Sequence, residues 1–231
     1  MIIPKLAATI ERRLLISYAV DPKLVVPLLP PNLKPQLVDG NAVAGMCLIR
    51  LGSVRPAFLK PSIGWGGENA AHRIAVEYKD DNGKPQTGVF IPERHSNSIL
   101  PVLAGGRIFP GKHTKAEFIV NETENVFKVR MKSENMSVAA HLEIAQKLDS
   151  SLFADLEAAS HFYQDSPVGW SPVVRNPNNV EGLKLSTDAW KVKPGKMKEL
   201  RSSFFDQMPK DSVQFDHVLV MQDVPVIWSQ P

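Results

Sequence analysis

Gly105-Gly106-Arg107-Ile108-Phe109-Pro110-Gly111-Lys112-His113 is the stretch from which the rest of the chain can be read. It puts three glycines, one proline, two fixed cations and a histidine into nine residues. Glycine and proline set a backbone path that regular elements avoid, and loops of that kind commonly carry function. Ile108 and Phe109, apolar and central, are expected to anchor the loop to a core.

Outward from this loop the pattern is that of strands. Lys115–Val120 alternates, Asn121–Asn125 turns, and Val126–Lys132 returns with a clear period of two. Asp81-Asn82-Gly83-Lys84 is a hairpin turn between Asn69–Tyr78 and Thr87–Ile91, and Asp39-Gly40 joins Gln36–Val38 to Asn41–Val54. Thr9–Ala19 reads as a first strand interrupted by Arg12 and Arg13. Asp21-Pro22 opens a short helix, with Asp as cap and Pro in the first turn. Arg55–Gly67 reads as a loop, and Ser96–Leu103 as a short helix broken near Pro101. Met136–Gln146 fits a strand, with helix as its rival. The best helix spans Ser151–Tyr163, capped by Asp149 or Ser150. Gly169–Val174, Val180–Leu185, Val218–Met221 and Val224–Trp228 are further strands. Many short strands and a few short helices give a β-rich α+β domain, with antiparallel sheets in a closed or half-closed barrel, over the whole of residues 1–231.

Composition narrows the function classes. A net charge of +3 on 231 residues is too small to argue for nucleic acid. The basic excess is local: Lys184–Arg201 is either a solvated face or a rim that steers anions. Cys47 is the one cysteine, so no intramolecular disulfide forms, which suits a reducing compartment. Its apolar neighbours favour a buried thiol. The first ten residues hold one lysine and no long apolar run, so neither a signal peptide nor a membrane span is read, and the expected location is the cytoplasm. The six histidines lie apart in sequence with no ligand spacing, so no metal and no cofactor is expected.

Three blocks then carry a resemblance. They are Ile91–Ser96 followed by Gly105–His113, Phe153–Phe162 with Val168–Pro172, and Ser202–Phe205 through Phe215–Met221 to Trp228. With Tyr18–Pro22 and Leu28–Pro30 they resemble an uncharacterised branch of the acetoacetate-decarboxylase-like superfamily. The resemblance implies two antiparallel sheets curled into a cone-shaped barrel around a ligand cavity. It also implies a possible homo-oligomer. The decarboxylases place a Schiff-base lysine and a second lysine after an aromatic-Pro pair; the second lowers the pKa of the first, and that enzyme is a standard example of the effect. Phe109-Pro110 matches the pair, but Gly111 stands at the first lysine position and Lys112 at the second.

A one-residue shift reverses a side chain's face in extended chain, so Lys112 does not simply inherit the imine role; a bulge at Gly111 would be needed to re-aim it. By the same alternation His113 faces the way Gly111 does, either as a general acid or base or as a hydrogen-bonding core histidine. Arg107 either grips a substrate carboxylate or pairs with Glu93 or Glu117. Glu93, Arg94 and His95 fall at a cavity rim by family position. Asn69 and Arg73 share a strand face, which lines a lumen or meets water, with His72 opposite. The expected activity is binding, with or without conversion, of a small anionic or carbonyl-bearing molecule lacking the usual imine lysine. Its rivals are a lyase that uses Lys112 and a non-catalytic scaffold.

Overall fold

The computed structural model describes residues 5–60, 62, 64–98 and 109–231. The strands are β1 (Leu6–Val20), β2 (Lys34–Pro35), β3 (Leu37–Val38), β4 (Asn41–Pro56), β5 (Trp65–Lys79), β6 (Pro85–Phe90), β7 (Glu93–Ser96) and β8 (Lys112–Lys115). They continue with β9 (Glu117–Glu122), β10 (Val126–Lys132), β11 (Ser137–Ile144), β12 (Val168–Val173), β13 (Asn176–Ser186), β14 (Lys193–Ser202) and β15 (Val213–Ser229). Among the described residues two short α-helices accompany them, α1 (Pro22–Val25) and α2 (Leu156–Gln164).

The order β1-β4-β5-β6-β12-β13-β15, with β15 pairing back onto β1, closes a ring. Every joint is antiparallel except β6–β12, and β7–β8 is a second parallel pair, so the all-antiparallel expectation is corrected to a mixed sheet. A side sheet, β14-β11-β10-β9, branches from β15. The long β-branched runs suit this pairing, and the turns are those the sequence demands: Asp39 and Gly40 both take positive φ, as does Gly83.

Alternation divides each ring strand between two environments. Leu14, Ile16, Met46 and Leu48 face outward and bury against Phe127, Val129 and Leu142 of the side sheet. Arg12 lies on the same side, 2% exposed, and bridges Glu68 of β5 and Glu122 of β9 at 2.5 and 2.8 Å, while Arg50 binds the same two carboxylates. That network ties the ring to the edge of the side sheet. The intervening residues, from Arg13 and Cys47 to Asn69 and Arg73, turn inward and wall a lumen.

Four sequence readings change. Glu93–Ser96 is strand, so Ser96 does not cap a helix there, and the remainder of that helix reading, residues 99–103, lies outside the described residues. β4 and β5 extend into the supposed Arg55–Gly67 loop. β14 replaces part of what read only as a charged surface. α2 begins at Leu156 with Asp155 as its cap, because Ser150, Ser151 and Leu152 give their donors to Asp216 rather than to a first helical turn.

Candidate functional site

The lumen has a volume of about 520 Å³, on the scale of small-molecule sites. Its wall is mainly aliphatic and aromatic, and three arginines enter it from three strands: Arg13 from β1, Arg73 from β5 and Arg94 from β7. Arg13 Nε donates to the Cys47 thiol at 3.3 Å. Arg73 donates to Ser17 Oγ at 3.4 Å and lies over the Tyr163 ring, 4.6 Å from its centre. Arg94 donates to the Pro110 carbonyl at 2.9 Å and to Ser171 Oγ at 3.2 Å. None forms an ion pair among the described residues, and the segments outside them contain no Asp or Glu. The wall's carboxylates, Asp165 and Asp188, are exposed. Burial draws the Arg94 pKa down to about 10 and lowers that of Arg73, so Arg94 remains charged at neutral pH at an electrostatic cost.

The opening loop supplies the fourth polar group. In the parallel β7–β8 pair Glu93 stands beside Lys112 and Arg94 beside His113, so the two couples face opposite ways. Arg94 and His113 face the lumen. His113 Nε2 donates to the Phe109 carbonyl at 3.0 Å, which leaves Nδ1 as the ring's basic nitrogen. Burial, then the charge of Arg94, pulls the His113 pKa down to about 4, so the imidazole is neutral at pH 7. Phe109 stacks edge-on against Trp228 and closes one end of the wall.

Gly111 holds this arrangement. Its φ is +90, and a Cβ there would lie 2.7 Å from Ser171 Cβ. Ser171 is fully buried and is the partner of Arg94, so the glycine lets the loop press on the residue that anchors the arginine.

The other sequence candidates fall as follows. Lys112 has a side chain 61% exposed, pairs with Glu93 Oε1 at 2.9 Å, and is not part of the lumen wall. Glu93 also accepts from Thr114; burial pushes its carboxyl up, but the bonds from Thr114 and Lys112 outweigh it and leave it below the usual range. Asn69 lines the lumen, its amide donating to the Gly67 carbonyl at 2.9 Å. His95 is buried outside the lumen with no hydrogen-bond partner for either ring nitrogen among the described residues. Arg107 lies outside the described residues.

Several lining groups carried no local signal. Arg13 read only as an interruption of β1. Tyr163 of α2 belongs to a buried chain: Asp216 Oδ2 accepts from His217 Nδ1 at 2.6 Å, His217 Nε2 meets the Tyr163 hydroxyl at 3.0 Å, and that hydroxyl meets Ser17 Oγ at 2.6 Å. Burial raises the Tyr163 pKa against the charge of Arg73, which pulls the other way.

A family model described as "Uncharacterized conserved protein (COG2071)" matches residues 7–207. No curated protein matches the sequence. Acetoacetate decarboxylase from Legionella pneumophila subsp. pneumophila str. Philadelphia 1 is similar over 97% of this chain and 84% of that chain, at 17% identity and a TM-score of 0.60. An acetoacetate decarboxylase-like enzyme from Sphingomonas wittichii RW1 is similar over 99% and 91%, at 13% identity and 0.59. The enduracididine biosynthesis enzyme MppR, complexed with pyruvate, is similar over 97% and 88%, at 16% identity and 0.56. The likeness is one of fold: the acetoacetate-decarboxylase-like architecture. Among the described residues no helix is long and apolar enough to cross a membrane.

Proposed function

We propose, for a chain that belongs to the DUF2071 family and carries this fold, that the lumen takes up a small organic carboxylate bearing a carbonyl group, without forming an imine. The observation that carries this reading is the set of three lumen arginines with no ion-pair partner among the described residues. A buried cation left unpaired is costly, and an incoming carboxylate relieves that cost. Arg94 and Arg73 offer planar forks suited to two-point recognition of a carboxylate. His113, neutral and beside Arg94, adds no second charge there, and its bare Nδ1 is free to accept from a hydroxyl on the ligand. MppR, on the same fold, is complexed with pyruvate, so a 2-oxo acid is the first probe.

The imine route fits this chain poorly. Lys112 is exposed and paired, and the wall's one lysine, Lys184, is exposed. The test is calorimetric titration with pyruvate, 2-oxobutyrate and acetoacetate against neutral acetone, then borohydride reduction of each mixture and peptide mass spectrometry. Binding of the acids but not acetone is expected. Loss of about 1.5–3 kcal/mol is expected in Arg94→Met, the value of hydrogen bonds to a charged group. Unmodified lysines after reduction are expected as well. A reduced adduct on Lys112 turns the assignment to a Schiff-base lyase; equal binding of acetone, or none by any acid, removes the anion site.

A further inference from the structure

Next to the lumen, and sharing Arg73, Val89 and Tyr163 with its wall, lies a separate space of about 10 Å³ bounded also by Ser17, the size of one water or one ligand oxygen. Behind it runs the chain Ser17–Tyr163–His217–Asp216, drawn from β1, α2 and β15. All four members are buried, with Ser17 and His217 at 0% and 1% exposure.

With His217 neutral, the hydrogens along this chain take the following order. Asp216 accepts from Ser150 Oγ, the Ser151 amide, Ser151 Oγ, the Leu152 amide and His217 Nδ1. Burial pushes its carboxyl up, but the bonds from His217, Ser150 and Ser151 prevail and hold it far below the ordinary range, hence ionised. His217 therefore donates from Nδ1, and in the neutral ring Nε2 is left to accept the Tyr163 proton. Tyr163 in turn accepts from Ser17, whose oxygen accepts from Arg73. Every proton points toward Asp216, and a cation sits over the phenol ring. This is the geometry of a hydroxyl activated by a base that a third group orients.

We propose that Tyr163 is the acid–base residue of the lumen, with His217 as its proton acceptor and Asp216 as the group that positions His217. This rests on the carboxylate-binding reading above. With a 2-oxo acid held by the arginines, the Tyr163 proton passes to His217 Nε2, and the phenol oxygen takes a proton from the carbon next to the carbonyl. The C–H electron pair becomes the enolate, its negative oxygen facing Arg73, while the new imidazolium faces ionised Asp216. Reversal returns a proton to carbon, so no oxidant, reductant or third reactant is consumed. The class of reaction is proton exchange, and hence carbon-centred chemistry, next to a carbonyl.

The experiment is exchange of the pyruvate methyl protons in D2O, followed by proton NMR, with the pyruvate Kd measured alongside. Wild type is expected to exchange above the buffer rate. Tyr163→Phe keeps the ring beneath Arg73, and His217→Gln leaves Asp216 its backbone donors. Each is expected to lose roughly 100-fold or more in exchange, the usual scale for a positioned acid or base, with Kd changed by less than about 3-fold. Circular dichroism melting establishes that each variant is folded, and either one suffices if the other does not fold. Wild type that binds pyruvate without exchanging it, or folded variants that exchange as wild type does, overturns the Tyr163 assignment and leaves the binding site standing. A wild type that binds neither pyruvate nor the other acids removes both.

Discussion

Gly111→Ala is the perturbation whose cost can be worked most fully from geometry. Two penalties separate. The first is conformational: at φ +90 an L-residue pays about 1–2 kcal/mol that glycine does not. The second is steric: the new methyl would lie 2.7 Å from Ser171 Cβ and 3.1 Å from Ser171 Oγ, in a site where Ser171 is fully buried and has no room to yield. Overpacking of that kind costs about 1–3 kcal/mol, for a total of roughly 2–5 kcal/mol. The molecule supplies its own controls. Gly40 and Gly83 have φ +78 and +76 but nothing within 4 Å of where a Cβ would stand, so Gly40→Ala and Gly83→Ala carry only the first penalty. Urea unfolding of the three variants, read as ΔΔG at unchanged m, isolates the contact by difference. Because Ser171 holds Arg94, pyruvate affinity should fall in Gly111→Ala and in neither control. A Gly111→Ala protein no less stable than the controls, with unchanged affinity, refutes the view that the loop is pressed on the arginine's anchor.

Acid should destabilise the protein well above the carboxylate range. His72 and His113 are held at about 3 and about 4, burial being the larger cause in each, whereas an unfolded histidine takes a proton near 6.5. Stability is therefore complete above about pH 6.5 and falls as pH drops, by about 1.4 kcal/mol per group at pH 5.5; urea unfolding at pH 7.5 and 5.5 should differ by about 3 kcal/mol, and an equal stability at both contradicts the burial of these rings. Arg12→Met should cost about 3–5 kcal/mol, since it strands Glu68 and Glu122 near a single remaining cation, Arg50. Adding Glu122→Gln to that variant should recover part of the loss, and a double mutant that is simply additive counts against the network.

The ring was legible because its strands alternate and its turns are chemically explicit: Asp39-Gly40 and Asn82-Gly83 behave as their residues require. Alternation also separates Lys112 from His113, since a period of two needs no knowledge of the partner strand. Arg12 and Arg13 were not separable in this way. Both interrupt β1, and only closure of the ring makes one side an ion network and the other a lumen. Asp216 lies 64 to 66 residues from the turn it stabilises, and His217 lies 54 from Tyr163, so neither the late start of α2 nor the relay has a local signature. Ser171 against Gly111 is likewise a contact between distant segments: the glycine announces a permissive backbone, not what presses on it.

A crystal structure of the protein with pyruvate, after borohydride treatment, tests carboxylate binding without an imine most directly. A carboxylate is expected inside the ring, within hydrogen-bond distance of Arg94 or Arg73, with no covalent link to any lysine. Density continuous between pyruvate and Lys112 or Lys184, or pyruvate bound only outside the ring, contradicts it.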